Sequence, residues 1–243
     1  MSLVQNETIA GGEAVAAQNA DGATHNLQGQ RIGRKGQATR ESILTAALRM
    51  IEGADDAPLT LSAVARQVSV TLTTLYIYFP DLGELLLAAL ERVMTAADAA
   101  FLDRLRTRWP DETLDDCCGA FLRAHLAFWR QHARILQMRN SYADAGDIRF
   151  LAYRNRVTIP IIEHVVMQMD SRMESVHSPE VYLATVLVMG FERIATVTTN
   201  PVFERAAQDR GVEDAAGYIE DMISAEADMM AVMILRQRRL AEH

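Results

Sequence analysis

The residues with the clearest chemical potential lie between Thr60 and Phe79, in the run Thr-Leu-Ser-Ala-Val-Ala-Arg-Gln-Val-Ser-Val-Thr-Leu-Thr-Thr-Leu-Tyr-Ile-Tyr-Phe. Six of these side chains are Ser or Thr hydroxyls and two are Tyr phenols, groups that can donate to and accept from phosphates, bases or backbone. Their spacing predicts two short helices joined by a tight turn. Thr60 serves as N-cap of the first, since its hydroxyl can accept from a free backbone N–H. Val64, Ala65 and Val68 share one face of that helix, and the small Ala65 permits close approach of a second helix. Ser69-Val70 forms the turn, with Val70 expected beneath it. Thr71 caps the second helix, Leu72 to Phe79, in which Leu75 and Phe79, four apart, face a core. Leu72, Thr73, Thr74, Tyr76 and Tyr78 are left largely outside. Such a pair of helices can place its second member in a DNA major groove. It is also compatible with a helical hairpin that binds nothing.

The run Val64-Ala65, Val70-Thr71 and Thr74-Leu75-Tyr76-Ile77-Tyr78-Phe79, followed by Asp81 and Glu84-Leu85-Leu86, resembles the DNA-binding domain of the TetR family of transcriptional regulators. Arg34-Lys35-Gly36, Thr39-Arg40-Glu41-Ser42-Ile43-Leu44 and Ala46-Ala47 are similar to that family's first helix. The likeness covers roughly residues 35–90; beyond them it extends only to the length and order of helices. It implies that Leu72, Thr73 and Ser62 match positions reading base edges. Thr74 and Tyr78 match phosphate contacts, and Tyr76 matches a position touching backbone or base. Thr60 and Thr71, the two caps, belong to the same expected DNA-binding set. Hydroxyls suit phosphate oxygens, and apolar groups suit thymine methyls. Two departures from the family pattern stand out. Ser69 occupies a place usually held by Gly, and Leu82 one usually held by a phosphate-contacting Lys. The second helix also carries no charge.

The surrounding chain must position this unit. Net charge is −8, unevenly distributed. Residues 31–80 carry six basic and four acidic side chains, whereas 81–243 carry 18 and 25. Phosphate binding depends on local cations, so a mildly basic head on an acidic body fits a DNA reader with a separate sensing part. Residues 1–30, rich in Ala, Gly, Gln and Asn, read as a mobile tail. Arg31 to Lys35 reads as a basic arm, with Arg34 and Lys35 reaching phosphate or the minor groove. A first helix is expected from about Thr39 to Glu52, stopped by Gly53, with Asp55-Asp56-Ala57-Pro58 as the following loop. Asp81 and Glu84 form a capping pair for a fourth helix expected to continue to about Leu105.

The rest reads as helix throughout. Expected helices run from about Thr113 or Asp116 to Arg130, from Ala133 to Tyr142, and from Asp147 to Ser171 with a kink at Pro160. Two long apolar helices follow, 178–199 opened by Ser178-Pro179 and 214–240 closed by Arg236, Arg238 and Arg239. Phe121, His125, Phe128, Met138, Tyr142, Phe150, Tyr153 and Met167 supply aromatic and adaptable apolar surface for a small ligand; the same residues also suit a plain core. Met169 belongs with that surface, and Arg154, Glu163 and His164 are candidates for fixing a polar ligand end. His125 and His132 are seven apart, with no second pair at metal-ligand spacing, so no metal and no cofactor is expected. Cys117 and Cys118, adjacent and alone, suit a reducing cytoplasm. The longest apolar run, Val181 to Phe191, is eleven residues, so no membrane span is expected, and the N-terminus lacks the pattern of a secretory signal.

The expectation is therefore an all-α protein. A tail over 1–30 precedes a three-helix helix-turn-helix DNA-binding domain over 31–80 and a helical ligand-binding and dimerisation bundle over 81–243. The resemblance implies a repressor that binds a palindromic double-stranded operator as a homodimer, paired through its two C-terminal helices and released by a small, largely apolar effector. An interaction module that has lost specific DNA binding is the alternative. An all-α enzyme is a more distant one, since no phosphate-cradling glycine loop, metal-spaced cluster or evident nucleophile–base pair is present.

Overall fold

A computed structural model describes residues 33–53 and 58–241. The expected tail over 1–30, Arg31 and the loop residues 55–57 lie outside the described residues. Among the described residues all regular structure is helical, with no strand. The chain divides into two compact units, one ending at Ala89 and the other beginning at Leu90. The division falls inside the helix Leu82–Met94.

In the first unit, α1 (Arg34–Glu52) buries Ile43, Leu44, Ala47 and Ile51, the expected stripe. It begins five residues before Thr39. Gly33 is extended and opens it, and the Thr39 hydroxyl donates back to the Lys35 carbonyl at 3.1 Å instead of capping. Arg34 and Lys35 are thus the first turn of a helix and not an arm. Arg, Lys and Gln are good helix formers, and a single Gly36 does not break the run. Helix α2 (Leu61–Gln67) packs on α1, and α3 (Leu72–Tyr78) on α2.

Both short helices are set by their caps. The Thr60 and Thr71 hydroxyls accept from the N–H of Ala63 and Thr74, each at 3.1 Å. At the turn, the Val70 N–H donates to the Ala65 carbonyl (3.0 Å) and the Ser69 N–H to the Arg66 carbonyl (3.2 Å). That is a Schellman closure, which requires a left-handed residue between the helices. Ser69 adopts it, with φ +55°. Val70 is half-buried, less enclosed than expected, because the closure carries it to the rim.

Helix α4 (Leu82–Met94) starts where Asp81 accepts from the Glu84 N–H at 2.9 Å. It stops eleven residues short of Leu105. The Thr95 hydroxyl folds back onto the Arg92 carbonyl. After the short α5 (Ala97–Ala100), Phe101 leaves helical geometry (φ −148°) and its ring enters the aromatic core.

The second unit continues through 3₁₀ turns at Leu102–Leu105 and Asp111–Thr113 to α6 (Leu114–Gln131), α7 (Ala133–Asp144), α8 (Ile148–Gln168), α9 (Pro179–Thr198), α10 (Phe203–Gln208) and α11 (Ala215–Ala241). Helix α11 packs on α6 and α9, α9 on α8, and α8 on α7. Pro160 lies inside α8, which runs on as one helix. Cys118 is buried, and burial pushes its thiol up to about 12; both cysteines are free thiols.

A polar clasp ties the segment 105–111 to the ends of α8 and α11. Gln168 Oε1 accepts from the Trp109 N–H (2.9 Å), and its Nε2 donates to the carbonyls of Leu105 (2.8 Å) and Thr107 (2.9 Å). Arg238, expected as one of three arginines closing the last helix, is buried. Its guanidinium donates to the carbonyls of Gln168 (2.7 Å) and Trp109 (3.0 Å) and pairs with Asp111. Alongside, Arg108 holds the Asp170 carboxylate through two bonds of 2.7 and 2.8 Å, which keeps that carboxyl below its ordinary range. Asp170, like Ser69, is a non-Gly residue in left-handed conformation, φ +56°, closing a helix end.

Candidate nucleic-acid face and interior polar site

Helix α3 has two unlike sides. Leu75 is fully buried and Phe79 nearly so, with the Arg40 guanidinium lying 5.1 Å over the Phe79 ring. On the other side Leu72 is 36% and Tyr76 44% exposed, and Thr73 is also exposed. These three fall at i, i+1 and i+4, one continuous patch. Thr74 is half-buried, and its hydroxyl shares a 2.8 Å hydrogen bond with that of Thr71. Tyr78 is half-buried at the C-terminal end of the helix. Thr60 and Ser62 are exposed at the start of α2, and Arg34 and Lys35 at the start of α1. Leu82 is half-buried and offers no hydrogen bond. The patch therefore combines apolar, hydroxyl and phenol groups on a helix without a formal charge. Such groups can hydrogen-bond phosphate oxygens or meet base edges.

The interior of the second unit separates the residues expected around a ligand. Phe121, His125 and Phe128 join Phe101, Trp129 and Phe191 in one packed aromatic cluster. His125 sits edge-on to Phe101 at 5.0 Å and to Phe191 at 4.8 Å. Burial, and secondarily the charge of Arg139, lowers its pKa to about 3, so this histidine is neutral near pH 7. Tyr142 stacks on Phe150 at 4.7 Å, and Met138 is half-buried on the same helix as Tyr142. Met167 is 50% exposed and stands apart from the interior; its position on α8 turns it away from the buried Val165, Val166 and Met169. Arg154 is paired with Asp144 at 2.8 Å, His164 Nδ1 meets the Pro160 carbonyl at 2.6 Å, and Glu163 is half-buried.

Next to the aromatic cluster lies a polar group that sequence reasoning missed in part. Arg139 is 2% exposed, with its guanidinium 5.5 Å over the Trp129 ring. Its Nε donates to Asn140 Oδ1 at 3.1 Å, while its Nη2 has no hydrogen-bond partner. The Tyr153 and Thr158 hydroxyls are likewise buried without a partner. Burial raises the Glu192 carboxyl, opposed by the nearby charges of Arg139 and Arg154. Arg139 was hidden in the sequence because arginine reads as surface. Yet it falls on the buried stripe Ile135, Leu136, Arg139, Ala143, at spacings of 3 and 4, and Glu192 follows Val188 by four inside an apolar helix. A charged residue in register with a core stripe was the available signal.

A third feature is an apolar surface. On α9, Tyr182, Val186 and Met189 are exposed at i, i+4, i+7, opposite the buried Val181, Ala184, Val188 and Phe191. On α11, Tyr218, Met229 and Val232 are exposed along a second stripe. By length and mean hydropathy (1.4) α9 is apolar enough to cross a bilayer, and a third of that window (33%) is buried inside the protein. Soluble core helices meet the same measure; the sequence reading, from the eleven residues Val181 to Phe191, expected no membrane span.

No protein-family model matches this chain, and no curated protein matches it in sequence.

Proposed function

We propose that this protein is a ligand-responsive DNA-binding transcriptional regulator of the TetR kind, acting in the cytoplasm as a homodimeric repressor. The observation that carries the proposal is the division of α3, with Leu75 and Phe79 buried while Leu72, Thr73 and Tyr76 face outward. A short helix with an exposed, hydrogen-bonding outer face, held by a capped start and a Schellman turn, suits insertion in a major groove. Arg34 and Lys35 in the exposed first turn of α1 supply the cations that phosphate requires.

In this reading the exposed stripes of α9 and α11 pair with their counterparts on a second copy. Two heads then read a two-fold symmetric operator, with half-sites one helical turn or a multiple apart. The second unit receives a small effector, which lowers operator affinity to the extent that it prefers the non-binding state. A helical interaction module without DNA affinity is favoured by one observation, the absence of charge on α3. Operator selection separates the two. Symmetric sequences should emerge from a random duplex library, Tyr78→Ala should weaken binding to all of them alike, and Leu72→Ala should shift the preferred sequence. Recovery of no enriched sequence, or indifference to both substitutions, rejects the regulator.

A further inference from the structure

The second unit contains more buried hydrogen-bonding capacity than it uses. Arg139 Nη2, the Tyr153 hydroxyl and the Thr158 hydroxyl are all buried without partners, on two adjacent helices, α7 and α8. Native interiors leave few such groups, and a guanidinium taken out of water normally meets a carboxylate. Among the described residues Arg139 forms no ion pair with a carboxylate. Glu192, on α9, lies within electrostatic reach of it but outside direct contact. The Thr158 hydroxyl lies beside the same carboxyl without meeting hydrogen-bond geometry. Arg139 thus neighbours both Glu192 and Tyr153, and Glu192 neighbours Thr158, so polar groups of three packed helices adjoin one another, and the Trp129 ring lies under Arg139 at 5.5 Å.

We infer that Arg139, Tyr153, Thr158 and Glu192 form a binding site for the polar end of a small organic molecule, one with an acid or carbonyl oxygen beside a hydroxyl or amino donor. The acceptor oxygen meets Arg139 Nη2 and the Tyr153 hydroxyl. The donor meets Glu192, and the Thr158 hydroxyl completes the ring of contacts. The apolar remainder of the molecule lies against the neighbouring aromatic side chains. This rests on the reading of the second unit as an effector sensor and gives that effector a chemical class. It revises the sequence expectation of a largely apolar ligand, because an entirely apolar one would leave the Arg139 charge and two hydroxyls unmet.

The site is tested on the full chain without DNA, with salicylate and its neutral counterpart salicylamide as probes. Binding is followed by tryptophan fluorescence and calorimetry. At least one probe is expected to bind saturably. A preference for salicylate marks an acid-binding site and a preference for salicylamide a carbonyl-binding one. Arg139→Met should weaken the preferred probe by about tenfold or more, the loss of one charge-assisted contact. Tyr153→Phe removes only a buried hydroxyl without a partner, so the protein should remain at least as stable while probe binding falls severalfold. That variant decides the matter if Arg139→Met does not fold. Absence of saturable binding by both probes, or binding indifferent to Tyr153→Phe and Arg139→Met, overturns the site. Since no DNA is present, that failure leaves the DNA-binding proposal standing, and a failure of DNA binding leaves this test intact.

Discussion

Replacing Gln168 by Met keeps the length and bulk of the side chain and removes its amide. Gln168 is 1% exposed and makes three hydrogen bonds to the backbone of the 105–109 segment. Two of these, with the Trp109 N–H and the Leu105 carbonyl, are fully buried, and the bond to the Thr107 carbonyl is partly so. A buried backbone group left without its partner costs roughly 1–3 kcal/mol. Two such groups give about 2–6 kcal/mol, and the Thr107 carbonyl adds little because water can reach it. Relaxation of the segment recovers part of this, so the expected loss is about 3 kcal/mol, a substantial fraction of a typical domain stability of 5–15 kcal/mol. Urea unfolding followed by tryptophan fluorescence reads this directly. With a slope near 2–3 kcal/mol per molar urea, the midpoint should fall by about 1 M at unchanged slope. A midpoint within about 0.2 M of the parent would show that the 105–109 backbone finds other partners and that Gln168 is not what holds it.

Ser69→Gly should stabilise the first unit by about 0.5–1 kcal/mol, because glycine occupies the left-handed φ without a Cβ penalty; Ser69→Ala should give no gain, and the pair is compared by chemical unfolding. If the exposed stripe of α9 pairs two copies, Met189→Arg should lower the sedimentation coefficient at micromolar concentration to that of a monomer, by placing a charge in the stripe; an unchanged coefficient would place any partner surface elsewhere. His125 gives a pH signature. Its pKa is about 3 in the fold against an ordinary 6.5, so below pH 6.5 the unfolded chain binds the extra proton. Its effect on stability is nil above 6.5 and increasingly unfavourable as pH falls toward 3, at about 1.4 kcal/mol per unit for one proton. His125→Leu should remove one proton's worth of that slope between pH 6 and 4, measured by urea unfolding at each pH.

What the sequence revealed is what local chemistry decides. The caps at Thr60, Thr71, Asp81 and Ser178 were legible because a hydroxyl or carboxylate before an apolar stripe has few other uses. At Ser69 the resemblance implied a glycine place, and the left-handed φ of +55° is what such a place requires even though the residue is not glycine. The errors came where distant contacts override local preference. Nothing near Met94 announces the end of α4; the inward turn of Phe101 depends on rings on α6. The burial of Arg238 and Arg139 was not legible because it depends on carbonyls and rings elsewhere in the chain. Met167 was placed inside by composition alone, which cannot tell which side of α8 faces water. Leu72, Thr73 and Tyr76 were legible as outward on α3, whereas Thr74 and Tyr78, also expected outside, are half-buried; of the interior polar group only Tyr153 was singled out, because its members come from three helices.

The salt dependence of duplex binding reads out directly whether α3 sits against DNA. If α3 enters a groove while Arg34 and Lys35 of two protomers meet phosphates, log K should fall linearly with log salt. Four neutralised phosphates give a slope of about −3.6. Retention on duplex DNA at low salt is expected, with a slope near that value. Lys35→Gln, which removes one phosphate contact from each protomer, should lower the slope by about one half. A chain that passes over duplex DNA unretained at low salt, or whose retention is indifferent to salt, contradicts it.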